Sequence, residues 1–169
     1  MTPKLHFPLL AAGRVLGHQI QPEPSFTGKY TAFSTWTTVL PRDESIVQIF
    51  RRPASEPVAS LGKVLGDRST LYKYLNPNLV GYITSIRGSN NMATACGLYV
   101  VDGAKGAIIY HSVLPSAAGK CDLKAEFTEN WLVYTYYDGD ISSSGQAKGH
   151  RLISVEMYEG KGTNDKTRR

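Results

Sequence analysis

The residues best equipped for chemistry are the run Gly66-Asp67-Arg68-Ser69, four histidines, two cysteines, an acidic pair and a group of aromatic side chains. Gly66-Asp67-Arg68-Ser69 has the look of a phosphate cradle, but it lacks both the P-loop spacing and the Lys-Ser/Thr ending. The structural reading is the better one. Gly66 supplies a tight turn, while Asp67 and Arg68 pair or cap neighbouring backbone groups. His6, His18, His111 and His150 are scattered and share no metal-ligand spacing, so each reads as a surface or hydrogen-bonded histidine. Asp138-Gly139-Asp140 is only the opening of a calcium loop, since no ligand ladder or closing Glu follows, and a solvated hairpin loop is expected there. The sequence contains no Gly-x-Ser-x-Gly elbow. No catalytic, cofactor-binding or metal-binding set is expected.

Cys96 and Cys121 form no CxxC and belong to no Cys/His cluster, which argues against zinc. Two free buried thiols are the default expectation. A disulfide stays open in an oxidising compartment, because sequence does not give the Cα separation that decides it. Tyr72, Tyr74 and Tyr82 could form an aromatic recognition surface, but packing between sheets, with the hydroxyl sent to a partner, is the commoner fate of such tyrosines. Trp131 carries the largest apolar ring of its strand, and its burial is worth roughly 2–3 kcal/mol by area. It is therefore assigned a structural role.

These residues are positioned by strands. Thr35–Leu40 and Ser45–Phe50 are strand candidates closed by Pro41 and Pro53. Residues 54–68 are ambiguous. Val58, Leu61, Val64 and Leu65 follow helical spacing, yet Gly62 and Gly66 weaken a helix. Leu71–Leu75 reads as a strand ended by Asn76-Pro77-Asn78, a strong turn signal. Leu79–Ile86, Ala93–Val101, Ala107–Val113, Leu123–Phe127, Trp131–Tyr137 and His150–Tyr158 read as successive strands. Their connections are Arg87–Asn91, Asp102–Gly106 and Asp138–Gly149. Either Gly103 or Gly106 is expected to take a positive φ in the tight 102–106 connection. Residues 1–35 show little pattern, Gln21–Ser25 reads as a loop or linker, and 161–169 reads as a frayed tail. No helix is expected between the strands.

With 169 residues the chain is sized for one domain, and 41% hydrophobic against 20% charged residues suits a globular piece over a disordered one. Ten Tyr, sixteen Gly and nine Pro favour strands and turns. Basic residues exceed acidic ones in residues 1–90 and balance them afterwards, giving a net charge of +5. The basics are scattered, not gathered into a stripe, so nucleic acid is not an expected partner. No apolar run is long enough to span a membrane as a helix. The short apolar stretch Phe7–Ala12 contains Pro8 and makes a poor signal peptide.

A weak internal repeat is also visible. Asn78-Leu79-Val80-Gly81-Tyr82 and the strand that follows it match Asn130-Trp131-Leu132-Val133-Tyr134 and Leu152–Tyr158, at an offset of about 52 residues, near the larger propeller-blade periods. In each copy the first strand reads as an inner blade strand and the next as its neighbour. The segment Leu98–Ile109, with its Asp102-to-Gly106 turn, resembles the strand–turn–strand hairpin of quinoprotein-like propellers. A β-sandwich shares many of these features.

Three stretches resemble the C-terminal conserved region of the ER membrane protein complex subunit 1 family: Pro57–Leu79, Glu129–Tyr134 and Val155–Gly160. In the first, Lys63 stands where the family has Arg and Thr70 where it has Val. The resemblance covers roughly residues 36–160, flanked by the N-terminal segment 1–35 and the tail 161–169. It implies an all-β fold, antiparallel strands forming an incomplete part of a β-propeller with quinoprotein-like blades. It also implies a non-catalytic scaffold without cofactors, partnered by the other subunits of a complex that inserts transmembrane segments, tail anchors included, into the ER membrane. The expected location is the lumenal side of that membrane. The expected state of this sequence is a fragment lacking the family's signal peptide, most of its blades and its membrane anchor. The residues singled out, Gly66, Asp67, Arg68, Asn76, Pro77, Gly103, Gly106 and Trp131, are expected to serve structure and turns. The alternative from another class is a free-standing β-sandwich or propeller domain that binds a ligand.

Overall fold

Alternating apolar and polar residues across most of the chain produce strands, and the turns fall where Gly, Asn, Asp and Pro cluster. The computed structural model describes residues 5–11, 13–23, 28–53, 55–139 and 148–160, and among these there are twelve strands and no helix. Strands β1 (Leu5–Ala11), β2 (Arg14–Pro22) and β3 (Tyr30–Val39) form one antiparallel sheet in the order β1-β2-β3. The central sheet has the order β4-β7-β8-β9, built from β4 (Glu44–Arg51), β7 (Leu79–Arg87), β8 (Ala93–Asp102) and β9 (Ile108–Pro115). The third sheet, β10-β11-β12, uses β10 (Lys124–Thr128), β11 (Trp131–Asp138) and β12 (Gly149–Glu156). A two-stranded hairpin, β5 (Gly62–Val64) with β6 (Thr70–Tyr72), is inserted between β4 and β7.

The sheets stack in series. Leu79, Ile83, Leu98 and Val100 of the central sheet meet Phe127, Leu132, Tyr134 and Met157 of the third in one core. On its other face, Val80, Tyr82 and Val101 pack with Val15 of β2 and with Trp36 of β3. The central sheet is thus covered on both faces, which explains the nearly unbroken burial of β7. The disulfide Cys96–Cys121, with Cα atoms 5.5 Å apart, ties β8 to the β9–β10 connection. This corrects the expectation of two free thiols.

Two further differences from the sequence reading stand out. Leu5–Ala11 and Arg14–Pro22, in the segment that shows little pattern, are β1 and β2. The helically spaced Val58, Leu61, Val64 and Leu65 lie instead in extended chain and the β5–β6 hairpin, with Leu61 and Val64 exposed. The first strands of the two repeat copies, β7 and β11, lie inside their sheets with a strand on either side, and β8 and β12 are their neighbours. Pro24, Ser25, Asp140, most of the 138–149 loop and the 161–169 tail lie outside the described residues.

Candidate functional site

The run proposed as a cradle is a closed turn after β5. Leu65 donates its amide to the Ser69 carbonyl (2.9 Å), and Arg68 donates its own to the Leu65 carbonyl (3.0 Å). An Asp67 Oδ1 accepts from both the Ser69 amide (2.9 Å) and the Ser69 hydroxyl (2.6 Å). These amides are occupied within the turn, which leaves no nest aimed at an anion. Gly66 and Asp67 are the central residues of the turn that the Arg68 amide closes, and the positive φ falls on Arg68 (70°). At the other turn signal, the Asn76 Oδ1 accepts the Asn78 amide (2.9 Å) across Pro77, and the Asn76 Nδ2 donates to the Tyr74 hydroxyl (3.1 Å).

The 102–106 connection is organised by buried Asp102, whose Oδ1 accepts the Ala104 amide (2.9 Å) and whose carbonyl accepts the Gly106 amide (2.7 Å). Gly106 has φ +74°, and an added Cβ would stand 2.7 Å from the Trp36 ring. Gly103 keeps an ordinary φ, but its Cβ would stand 2.8 Å from the Asn78 carbonyl oxygen. Trp36 Nε1 donates to the Gly103 carbonyl (2.9 Å), tying the first sheet to this turn.

The polar network that sequence reasoning missed centres on Glu129, in the β10–β11 turn. Lys73 Nζ lies 2.5 Å from its Oε2, and the Ala59 amide donates to its Oε1 (3.1 Å). Arg52 donates to the Glu129 carbonyl (3.3 Å) and to the Leu75 carbonyl (3.2 Å), and the Glu129 amide donates to Glu56 Oε2 (2.8 Å). The Lys73 hydrogen bond, aided by the Ala59 amide, holds the Glu129 carboxyl below the usual carboxylate range. Beside it, Asn130 is fully buried and donates Nδ2 to the Met157 carbonyl (2.9 Å). These contacts clasp the β5–β6 insertion to the end of the third sheet, and Tyr74 extends the clasp by donating its amide to the Met157 carbonyl (3.0 Å). The residues that contact Glu129 lie 56 to 77 residues from it in sequence, so no local pattern announces them.

A second buried carboxylate, Glu44, accepts from the hydroxyls of Thr84 and Tyr99 (3.2 Å to Tyr99). Burial, and after it this acceptor, push Tyr99 up to about 12. Burial does the same to Tyr82, also to about 12. Both phenols stay neutral at physiological pH; Tyr99 packs and donates to Glu44, whereas Tyr82 packs with its hydroxyl buried and unpartnered. His111 stacks on Tyr99 and His150 meets the edge of Tyr137, far from each other. Among the described residues no group of His, Cys, Asp and Glu gathers as a metal site.

The feature with room for a partner is the outer face of the third sheet. It carries Trp131, Val133 and Thr135 of β11 and Leu152 of β12, beside a groove of about 450 Å³ reaching Pro53 and Glu56. Trp131 is half-buried here, which corrects its assignment as the buried ring of its strand. The inward side chains of β11 are Leu132 and Tyr134. The repeat explains the arrangement. Val80, Tyr82 and Val101 face the preceding sheet, as do Leu132, Tyr134 and Ile153 at the matching positions. Leu79 and Val100 face the following sheet and are 6% and 0% exposed, whereas Leu152, the match of Val100, is 74% exposed. This face is equivalent to the one that the third sheet covers on the central sheet.

The family described as "ER membrane protein complex subunit 1, second beta-propeller" matches residues 1–169. The chain is 36% identical over 126 residues to ER membrane protein complex subunit 1 of Xenopus laevis, covering 74% of this chain and 12% of that protein. The Gallus gallus protein of the same name is 36% identical over 131 residues, covering 77% of this chain and 12% of the relative. That of Schizosaccharomyces pombe is 33% identical over 142 residues, covering 84% and 15%. The chain therefore spans about an eighth of the length of the vertebrate relatives. The match includes the first 35 residues, which the resemblance read from sequence did not reach.

Proposed function

The chain belongs to the ER membrane protein complex subunit 1 family, within its second β-propeller, and from that premise we propose that it is a non-catalytic scaffold segment of that complex, on the lumenal side of the ER membrane. The observation that carries this reading is the duty of the residues through which the chain resembles its family. Asp67, Asn76 and Glu129 spend their carboxylate and amide groups on turns and on the clasp, and Asn130 donates its Nδ2 to the clasp. None is aimed at a cavity where a reacting group could sit, as a catalytic constellation requires. The Cys96–Cys121 disulfide supports a lumenal setting, because such bonds persist in oxidising compartments and are rare in the cytosol. The work supported is that of the complex, insertion of transmembrane segments including tail anchors, with this chain holding geometry and offering surface to the other subunits.

The test is affinity purification of the tagged protein from ER membranes, read by mass spectrometry, with insertion of a tail-anchored client measured in depleted and restored cells. Co-purification of the other subunits and restored insertion are expected. Recovery of the tagged protein without those subunits, or quinone-dependent turnover by it, would overturn the reading.

A further inference from the structure

The two sulfurs of the disulfide differ in what can reach them. Cys96 lies within β8, paired with Ser85 of β7 on one side and Leu114 of β9 on the other, and it is 1% exposed. Its side chain belongs to the core that the central and third sheets share. Cys121 lies outside every strand, in the connection from β9 to β10, and is only partly buried. Its neighbours along the chain, Lys120 and Asp122, are both exposed.

The connection before Cys121 is a tight surface turn. The amides of Ala117 and Lys120 each donate to the other's carbonyl (2.9 Å), and Ala118 (φ 48°) and Gly119 (φ 74°) between them both take a positive φ. That is the backbone of a two-residue hairpin turn. The turn is docked on the start of β8 without help from the disulfide: the Ala93 amide donates to the Gly119 carbonyl (3.0 Å), and the Ser116 hydroxyl donates to the Ala93 carbonyl (2.7 Å). Cys121 Sγ also sits 3.6 Å from the Thr84 carbonyl, which can accept from its thiol whenever the disulfide is open. The opened sulfur therefore has a place to stay, next to the strand that carries its partner.

We propose that Cys121 is the thiol-exchange site of this chain, the sulfur that a dithiol–disulfide oxidoreductase engages, and that Cys96 is the resolving thiol. In the closing direction the Cys121 thiolate attacks the disulfide of the reagent, forming a mixed disulfide and releasing one reagent thiolate. Cys96, deprotonated in its turn, attacks the Cys121 sulfur, forms the Cys96–Cys121 bond and expels the second reagent thiolate. Two protons leave the chain and two electrons pass to the reagent, whose disulfide becomes a dithiol. The opening direction reverses this order: an incoming thiolate attacks Cys121, and Cys96 leaves. The opposite assignment would bring the reagent into the core between two sheets, where apolar surroundings also disfavour a thiolate. The asymmetry is intrinsic to the fold and does not rest on the proposed scaffold role, so the two can fail separately.

The experiment compares two single variants of the 169-residue chain, with oxidised glutathione as the probe. Cys96→Ser keeps only Cys121, and Cys121→Ser keeps only Cys96. Formation of the mixed disulfide is followed by mass spectrometry in buffer and in urea, with exchange of the β7 and β8 amides as the measure of an intact fold. In buffer Cys96→Ser should react faster than Cys121→Ser by about tenfold or more, and in urea the two should react alike. The wild-type chain, reduced by a phosphine and given a short pulse of iodoacetamide, reads the same contrast without a substitution: Cys121 should be alkylated before Cys96. Equal rates in buffer with the fold intact, or faster reaction of Cys96 in either measurement, would overturn the proposal. If a variant loses its β7 and β8 protection, the wild-type pulse decides, and equal alkylation of the two thiols there would overturn it.

Discussion

Reduction of the Cys96–Cys121 disulfide should cost this chain about 3.5 kcal/mol of stability. The bond closes a loop with a sequence separation of 25. In the chain-entropy treatment that loop restricts the unfolded state by about 12 cal/mol/K, or about 3.5 kcal/mol at 25 °C. Cys96 is buried to 1% and sits in the core between the central and third sheets, so reduction leaves the sulfur atoms in place and opens no cavity. The loss should therefore come mainly from the freed unfolded chain. With a urea slope of about 2 kcal/mol/M, the midpoint should fall by nearly 2 M. For a chain of this size the melting temperature should fall by about 7–14 °C. The assay is urea unfolding followed by tryptophan fluorescence with and without a phosphine reductant, with alkylation and mass spectrometry counting the thiols released. Amides of β10–β12 should lose exchange protection before those of β7 and β8, because the bond anchors the third sheet's entry to β8. If both thiols are alkylated in full and the midpoint moves by less than about 0.3 M, the entropic argument fails.

Gly106→Val should destabilise by more than about 1 kcal/mol, since it combines a positive φ with a collision against Trp36, and Gly103→Val should cost a similar amount by pushing on the Asn78 carbonyl. Neutral thermal melts for both would show that the turn is built otherwise. The Glu129 clasp should respond to acid with a definite sign. A carboxyl whose folded pKa is lowered contributes stability that is present above the ordinary Glu range and lost as the pH falls through its lowered value. Exchange in the β5–β6 hairpin should accelerate across that window, and Glu129→Gln should flatten the response; an unchanged profile in the variant would assign the acid sensitivity elsewhere. Expressed alone, the chain should bind an apolar-surface dye and self-associate through the outer face of its third sheet, and Leu152→Lys with Trp131→Arg should reduce both. A monomer free of dye binding would mark a self-sufficient small domain.

The strands from β6 onward were legible because their turns carry explicit chemistry: Asn76-Pro77, Asp102 with Gly106, and the 87–91 loop. β1 and β2 were hidden for physical reasons. β1 contains Pro8, which an edge strand tolerates and an interior strand does not, and β1 is the edge of its sheet. On β2 only Val15 reaches the neighbouring core, and Gly17 lies under Trp36 where an apolar side chain would otherwise mark the period. The helical spacing of Val58, Leu61, Val64 and Leu65 left residues 54–68 ambiguous because it reports no buried face. Leu61 and Val64 are both 68% exposed. The disulfide was undecidable because only the β8–β9 hairpin brings Cys96 and Cys121 within 5.5 Å between Cα atoms.

Trp131 shows why a residue can be placed on the right strand and its facing stay hidden. Its size argues for burial, and a single sheet gives it two faces to choose from. The core choice on β11 went to Leu132 and Tyr134, at the repeat positions of Val80 and Tyr82, which face backward to the preceding sheet. Trp131 matches Leu79, the forward-facing residue that is buried at 6% because another sheet lies over it. A large aromatic ring at a forward position is therefore what a blade needs toward its next neighbour. Its partial exposure, together with that of Leu152, follows from the same repeat, in which no sheet among the described residues lies over this face.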